Sequence, residues 1–279
     1  MIPAPFDYTL AESVEHALEV LGNGDAKLLA GGHSLIPALK LRIARPDRLV
    51  DIGRLHDLSY VRDSGAQVAI GALTRHDAVA AAQLLQEHCP IVSRVAGQIG
   101  DPQVRHRGTI GGSLAHGDPA SDLPAVMLAL DAEFVVRGAG GERVVPASAF
   151  FTGVFETAVG PAEMLTEIRV PKLGGAAGWA YVKAQRRAQD WATVGVAAIV
   201  RHTNGTVDGA SIGLVSMGAT PLRANAAEAA LAGGASIADA AALLADGTEP
   251  ASDQAGSSAY RAHLVTVIGR RALDEALTR

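Results

Sequence analysis

Two glycine pairs constrain this chain more than any other feature of its sequence. One lies in the segment AGGHSL at residues 30–35, and the other, about eighty residues later, in TIGGS at residues 109–113. A glycine pair reaches positive φ without steric cost and lets another group approach the backbone closely. Amides freed by such a turn can converge on an anion, especially where a helix begins. Two turns of this kind suggest a ligand with two phosphates that is held from both sides.

The composition narrows the class of protein. The chain has 279 residues, of which 48% are hydrophobic and 19% charged, as in one large globular domain or two ordinary ones. A net charge of −5 argues against a nucleic-acid surface, which needs clustered cations. The single cysteine, Cys89, excludes an internal disulfide and an iron–sulfur cluster held by this chain alone, and is most simply a buried apolar residue.

Targeting signals are not evident in the sequence. The first residues, MIPAPFD, lack the basic and apolar regions of a signal peptide. No apolar run approaches the roughly 18 residues that a membrane span requires. We therefore expect a cytoplasmic protein without a membrane span.

The first half of the chain reads as helices and strands in alternation. Thr9 and Glu12 have the spacing of a helix-capping box, followed by an apolar stripe at residues 14, 17, 18 and 21. Short strands are predicted at residues 27–30 and 49–52, with no crossover long enough for a full doubly wound sheet. Ser121 and Asp122 supply N-cap chemistry for a further helix with one apolar stripe.

The last hundred residues have a different character. Strands are predicted at residues 179–183, 194–202 and 210–216, with the hairpin turn Asn204-Gly205 between the last two. Alanine-rich helices are predicted at about 224–231, 237–244 and 258–277. The glycine-rich segment 172–178 looks like a connection between domains. We predict a domain over residues 1–175, with subdomains at about 1–55 and 56–175, and a small α+β domain with a three-stranded antiparallel sheet over 176–279.

Motifs for other chemistry are missing from the sequence. No GxGxxG motif follows a strand, and there is no P-loop, no HExxH and no paired CxxC. We therefore predict no metal site and no catalytic acid–base group. Two interpretations of His33 stay open: a turn residue that helps to cap the next helix, or a ring that hydrogen-bonds a phosphate or a bridging water. Ser34 is a natural N-cap in either case.

The glycine motifs resemble those of a known family. Segments 30–35 and 109–113, together with the polar stretch 101–107 before the second, are similar to the FAD-binding subunit of the molybdenum hydroxylases, and most similar to the medium subunit of the aerobic carbon monoxide dehydrogenase type. GDP at 117–119 and QDWAT at 189–193 are also similar to that subunit. The resemblance covers nearly the whole chain.

This resemblance implies a fold and a cofactor site. The fold is α+β, with an FAD-binding domain of the vanillyl-alcohol-oxidase (PCMH) type in two subdomains, followed by the small α+β domain. Both glycine segments would grip the pyrophosphate with their amides. Trp191 stands where close relatives place a tyrosine beside the flavin, and Ser113 replaces a common asparagine. The implied FAD contacts are Leu29, Ala30, Gly31, Gly32, His33, Ser34, Leu35, Gly108, Thr109, Ile110, Gly111, Gly112, Ser113, Asp122, Leu165, Lys183 and Trp191.

The resemblance also implies partners. These are a large subunit with the molybdenum cofactor and a small subunit with [2Fe–2S] clusters, assembled as a dimer of heterotrimers. Electrons would pass from the clusters to FAD, bound non-covalently, and on to a quinone or respiratory acceptor, in a cytoplasmic complex associated with the inner face of the membrane. A xanthine-, nicotine- or caffeine-type dehydrogenase remains an alternative, as do a stand-alone flavin oxidase and a scaffold that has lost its cofactor.

Overall fold

The computed structural model describes residues 1–175, 177–203 and 206–279. The predicted turn at Asn204-Gly205 lies outside these residues. The strands are β1 Asp7–Leu10, β2 Ala26–Leu29, β3 Arg48–Asp51, β4 Val61–Ser64, β5 Gln67–Gly71, β6 Glu133–Gly138, β7 Gly141–Pro146, β8 Phe151–Gly153, β9 Glu156–Thr157, β10 Glu163–Pro171, β11 Ala177–Ala184, β12 Val194–Thr203, β13 Thr206–Val215 and β14 Leu222–Arg223. The helices are α1 Val14–Gly22, α2 Leu35–Lys40, α3 His76–Ala81, α4 Gln83–His88, α5 Pro90–Ala96, α6 Pro102–Arg107, α7 Ile110–His116, α8 Asp122–Ala129, α9 Ala147–Phe150, α10 Asn225–Ala232, α11 Ile237–Ala242 and α12 Ser258–Leu277.

The N-terminal unit is a small parallel sheet in the order β1-β3-β2. Helix α1 covers it with Ala17, Leu18 and Leu21, as the apolar stripe predicts. The predicted capping box is wrong, because Thr9 lies within β1, and Ser13 instead accepts the hydrogen bond from the amide of His16.

The second unit is a five-stranded antiparallel sheet in the order β4-β5-β10-β6-β7. Its core includes Ile70, Phe134 and Ile168 together with apolar residues of helices α5 and α7. Cys89 is fully buried in this core, as predicted, and burial raises the pKa of its thiol to about 12.

The C-terminal sheet has the order β11-β12-β13-β14 and is antiparallel throughout. The three long strands agree with the prediction, whereas the two-residue strand β14 adds a fourth that was too short to show a pattern. Helices α10, α11 and α12 lie within two residues of the predicted bounds. Among the described helices, each falls short of the length or the hydropathy that a membrane span needs.

Helix α8 joins the two larger sheets. All its residues are buried, and it contacts β12 and β13 of the C-terminal sheet as well as α5 and α7 of the second unit. The contact with β13 is close because a Cβ at Gly213 would collide with the carbonyl oxygen of Ala125. On the other face of the sheet, a Cβ at Gly178 would collide with the carbonyl oxygen of Ala276 in α12. The C-terminal sheet is therefore packed between α8 on one face and α12 on the other.

Candidate functional site

The two glycine turns lie against each other. A Cβ at Gly31 would collide with the carbonyl oxygen of Arg107 and lie 2.8 Å from the Cα of Gly108, so the first turn abuts the residues that lead into the second. A Cβ at Gly112 would lie 3.9 Å from the Cβ of Ala30. The predicted proximity of the turns is confirmed, and only glycine allows the approach at Gly31.

The first turn offers a row of free backbone donors. It connects β2 to α2, and Gly32 adopts a φ of +76°. Within the described chain, the amides of residues 31–35 donate no hydrogen bond, whereas that of Ile36 donates to the carbonyl oxygen of Gly32 at 2.9 Å. Successive free amides in such a turn form a concave site for an anion.

The amides of the second turn are not free to donate to a phosphate, so the predicted binding of the pyrophosphate by these amides needs correction. The amides of residues 110–113 are already used: in order, their acceptors are the carbonyl oxygens of Thr74 and Ala72, the hydroxyl of Thr109, and the carbonyl oxygen of Thr109, at 2.9 to 3.1 Å. The reason is that this motif is itself the start of helix α7, capped by Thr109, and follows helix α6 rather than a strand. The glycines of this motif instead allow close packing, because a Cβ at Gly111 would lie only 2.5 Å from the Cβ of Ala72.

His33 and Ser34 face solvent at the first turn. The Nδ1 atom of His33 lies 3.2 Å from the carbonyl oxygen of Gly31, so the ring bonds to its own turn. Ser34 has helical dihedral angles and its side chain makes no capping hydrogen bond, so the predicted capping role is wrong. Its hydroxyl therefore stays available to a ligand.

A buried histidine supports the junction of the turns. His76 is 3% exposed, its amide donates to the carbonyl oxygen of Gly108 at 3.0 Å, and a Cβ at Gly108 would lie 2.9 Å from its ring. Burial lowers the pKa of His76 to about 4; the charge of Asp77 opposes this shift, whereas those of His33 and Arg105 add to it. The imidazole is therefore neutral at pH 7, and its buried Nδ1 has no hydrogen-bond partner among the described residues.

Two predicted site residues from different domains meet in a buried ion pair. The Nζ of Lys183 on β11 lies 2.9 Å from Oδ2 of Asp122, the first residue of α8, and both side chains are under 10% exposed. The hydroxyl of Tyr181 donates to Oδ1 of the same carboxylate at 2.5 Å. Burial raises the pKa of Asp122, against the opposing effects of Lys183 and Tyr181, and burial beside this carboxylate also raises the pKa of Tyr181.

Tyr181 was not among the predicted site residues. The signal was present, because Tyr181 and Lys183 are two residues apart on a strand and so point to the same face. Gly195 on the neighbouring strand leaves room for the phenol, since a Cβ there would lie 2.8 Å from the tyrosine oxygen. Their common partner, Asp122 on α8, lies too far along the chain for any local sequence pattern to identify it.

Leu165 lies on β10 beside the start of α7. It is 6% exposed and belongs to the main core, and the strand has an irregularity in register between Leu165 and Glu167. Ala72 links this strand to the second turn, because its amide donates to Thr166 and its carbonyl accepts from Gly111. Leu165 thus lies next to Thr166, which accepts the hydrogen bond from the amide of Ala72.

Trp191 lies on the loop between β11 and β12, where it is 67% exposed. The end of that loop is fixed, because the buried guanidinium of Arg261 donates to the carbonyl oxygen of Thr193 and to both oxygens of Asp253. Ser216 adds a hydrogen bond to the carbonyl oxygen of Ala192 at 2.8 Å. A large indole is therefore presented to solvent on an anchored segment.

Family comparisons match both parts of the chain. Residues 4–173 match the family described as FAD binding domain in molybdopterin dehydrogenase, and residues 179–276 match the CO dehydrogenase flavoprotein C-terminal domain.

Individual relatives agree over the full length. The chain is 41% identical to the carbon monoxide dehydrogenase medium chain of Hydrogenophaga pseudoflava, covering 100% of this chain and 99% of that one. It is equally 41% identical to the alpha subunit of the 6-hydroxypseudooxynicotine dehydrogenase complex of Paenarthrobacter nicotinovorans, covering 100% of this chain and 97% of that one. A solved structure of the Hydrogenophaga pseudoflava carbon monoxide dehydrogenase has a TM-score of 0.96 and 44% identity, with 100% of this chain and 99% of that chain covered.

Proposed function

Because this chain belongs to the molybdopterin-dehydrogenase FAD-binding family, with the CO dehydrogenase flavoprotein C-terminal domain, we propose that it is the electron-transferring flavoprotein subunit of a molybdenum hydroxylase complex. Within that complex it takes electrons from the iron–sulfur clusters of a small partner subunit and passes them to an external acceptor. The observation that carries this proposal is the row of free amides at residues 31–35, closed on one side by the second turn.

The turns fit a dinucleotide pyrophosphate. The amides of residues 31–35 would hold the phosphate oxygens, with the hydroxyl of Ser34 and the ring of His33 as further donors. Gly112 is exposed and has no side chain of its own, so a phosphate would be able to approach its backbone. The second turn would contact the pyrophosphate through the backbone of Gly112 and the hydroxyl of Ser113 rather than through free amides.

The remaining predicted contacts would surround the flavin end of the cofactor. Lys183 would present its ammonium group, fixed by Asp122, toward the flavin end of the cofactor. Leu165 would supply apolar contact, and Trp191 would cover the ring from its anchored loop. When bound, FAD supplies the capacity to take up electrons and release them to another carrier, and this chain's residues set its position and potential.

The partner subunits follow from the same proposal. With a single, buried cysteine this chain has too few thiolates to hold an iron–sulfur cluster by itself, so in this proposal the clusters belong to a partner subunit. We propose a large molybdenum subunit and a small [2Fe–2S] subunit in a dimer of heterotrimers, located in the cytoplasm or at the inner face of the membrane. A quinone or other respiratory carrier would be the acceptor.

Carbon monoxide is our first candidate for the substrate oxidised by the complex. The similarity to carbon monoxide dehydrogenase in sequence and structure supports it. The equal identity to a 6-hydroxypseudooxynicotine dehydrogenase subunit supports an N-heterocyclic substrate as a second candidate. In both cases the substrate is oxidised on another polypeptide, and the role of this chain is the same.

The test uses the complex purified with this chain. We expect flavin absorbance that is released by denaturation, and bleaching of the flavin on addition of CO but not of 6-hydroxypseudooxynicotine. Bleaching by the second compound alone would select the second candidate. A complex without flavin would refute the proposal, and oxidation of an organic substrate by the isolated chain would instead support a stand-alone oxidase.

A further inference from the structure

We infer that Ser216 is a positioning residue for the flavin end of the cofactor site, because it ties the loop that carries Trp191 to the segment that leads into Asp122. That segment, residues 117–121 between α7 and α8, is named the α7–α8 connection. Ser216 is the first residue after β13. The inference rests on the proposed function, since it concerns how the predicted contact between Trp191 and the flavin is held in place.

Ser216 makes one hydrogen bond to each of the two segments. Its amide donates to the carbonyl oxygen of Pro119, in the α7–α8 connection, at 2.9 Å. Its hydroxyl donates to the carbonyl oxygen of Ala192, the residue that follows Trp191, at 2.8 Å. A single residue of the C-terminal sheet therefore bridges two loops that are distant in sequence and that both carry predicted contacts of the cofactor at their ends.

The backbone of Ser216 is strained. Its φ of +60° lies in the left-handed region, which is unfavourable for residues with a Cβ atom. Eight glycines of the described chain have a positive φ, so glycine is the usual residue where this chain needs such a conformation. A glycine at residue 216 would keep the amide bond to Pro119 but not the hydroxyl bond to Ala192. The hydroxyl is therefore the reason that a strained serine stands here, as is typical of functional positions.

The α7–α8 connection is held by a second strained residue as well. Phe155, between β8 and β9, has a φ of +58°, and its amide donates to the carbonyl oxygen of Gly117 at 3.2 Å. Its ring centroid lies 5.0 Å from that of His116 at the end of α7. Among the described residues, two of the four non-glycine residues with a positive φ thus bond to this one connection. A segment held in this way provides a fixed reference to which Ser216 can attach the neighbouring loop.

Ala192 marks the point where the loop between β11 and β12 becomes fixed. It is 4% exposed, whereas the preceding Trp191 is 67% exposed. The guanidinium of Arg261 holds the carbonyl oxygen of the following residue, Thr193, and so acts one residue further from the indole. The hydroxyl of Ser216 holds the residue next to the indole itself. Removing that hydroxyl would therefore loosen Trp191 while leaving the bond from Arg261 in place.

A double-mutant cycle on the flavin potential tests this inference in the purified complex. Ser216→Ala should change the ratio of reduced to oxidised FAD at a fixed applied potential by about threefold, the effect of one lost hydrogen bond. In the Trp191→Ala background the same substitution should leave that ratio unchanged, because the side chain through which Ser216 acts is gone. A merely structural effect would be equal in both backgrounds. Ser93→Ala is the matched control, since its hydroxyl also donates to a carbonyl oxygen, that of Ala80 at 2.6 Å, and it should not alter the ratio.

Fluorescence anisotropy of Trp191 gives a second measurement, which needs no cofactor. The chain has two tryptophans, so Trp179→Phe leaves Trp191 as the one indole. In this background, we expect Ser216→Ala to lower the anisotropy of the full chain without FAD, and Ser93→Ala to leave it unchanged. Ser216→Gly separates the hydroxyl from the backbone strain, because glycine adopts the left-handed conformation freely. It should melt at a higher temperature than Ser216→Ala and yet show the same lowered anisotropy and the same altered FAD ratio.

The contrary outcomes are distinct from failure of the proposed function. A wild-type FAD ratio in Ser216→Ala, an equal change in both backgrounds, or wild-type anisotropy in both Ser216 variants would overturn the inference. An unchanged ratio in Trp191→Ala would overturn it too, because Ser216 would have no ring contact to act through. In each of these cases the wild-type complex still contains FAD. A wild-type complex without FAD overturns the proposed function, and this inference with it, whatever the anisotropy shows.

Discussion

The buried pair between Lys183 and Asp122 permits a quantitative prediction. Replacing Lys183 by Met removes one partner from a carboxylate that is 6% exposed and leaves it with the hydroxyl of Tyr181. Breaking a buried ion pair in this way costs about 3–5 kcal/mol because the remaining charge is uncompensated. For a chain of this size, 1 kcal/mol corresponds to about 2–4 °C, so Lys183→Met should lower the melting temperature by roughly 6 to 20 °C.

The pH dependence of the stability lost in Lys183→Met gives a second, independent test. Lys183 opposes the rise in the pKa of Asp122 that burial causes, so its loss raises that pKa further above the unfolded value of about 3.9. A folded-state pKa above the unfolded one means that the folded form binds the proton more tightly. The loss of stability in Lys183→Met should therefore be small near pH 4 and grow as the pH rises toward 8.

Calorimetry of the purified chain at several pH values provides the assay. The matched control is Lys172→Met, which breaks a lysine–aspartate pair of similar length, 2.8 Å against 2.9 Å, in which the Asp63 side chain is 55% exposed. It should shift the melting temperature far less, since exposed pairs contribute little. The double variant Asp122→Asn with Lys183→Met should recover part of the loss. A Lys183→Met chain no less stable than the Lys172→Met chain would refute the reasoning.

Three further predictions concern the first glycine turn and the loop that carries Trp191. Gly31→Ala must displace the carbonyl oxygen of Arg107, so FAD should bind at least about tenfold more weakly, a loss of roughly 1.4 kcal/mol. Gly140→Ala places its methyl group in open space and should bind FAD normally, so equal flavin titrations for the two variants would contradict the contact at Gly31. Trp191→Ala should keep its melting temperature and FAD content but shift the flavin midpoint potential, and an unchanged potential and acceptor kinetics would exclude the indole from the site. Arg261→Lys loses charge-assisted hydrogen bonds and should lower stability to urea by about 2 kcal/mol and expose the loop at 185–193 to proteolysis; protease resistance equal to wild type would show that the loop is fixed otherwise.

Local patterns in the sequence predict much of this fold. The stripe of α1 and the three C-terminal helices follow from 3.6-residue periodicity and from turn residues, and both glycine turns are recognisable by composition. The capping box at Thr9 fails because β1 has four residues, too few to show an alternation that would compete with the helix signal. For the same reason, the two-residue β14 leaves no trace in the sequence.

The site is predictable only in part, because its decisive features are long-range. Gly111 and Gly31 look alike in sequence, yet the amide of one is used by Ala72 and that of the other is free. The pairing of Asp122 with Lys183 spans 61 residues and two domains. Neither the free amide of Gly31 nor the pairing of Asp122 with Lys183 leaves a periodic or spaced pattern in the sequence, because both depend on how separate elements pack.

The burial of α8 on every side limits how this protein can be divided. The division between the two matched families, near residue 175, separates segments of sequence, whereas the apolar core crosses it: residues of β11, β12 and β13 belong to the same cluster as those of α5 and α8. A fragment ending there would leave one side of α8 bare, and the complementary fragment would leave its sheet uncovered. The two parts are thus interdependent, and exchanging the C-terminal part with that of a relative would require the face of α8 to be exchanged with it.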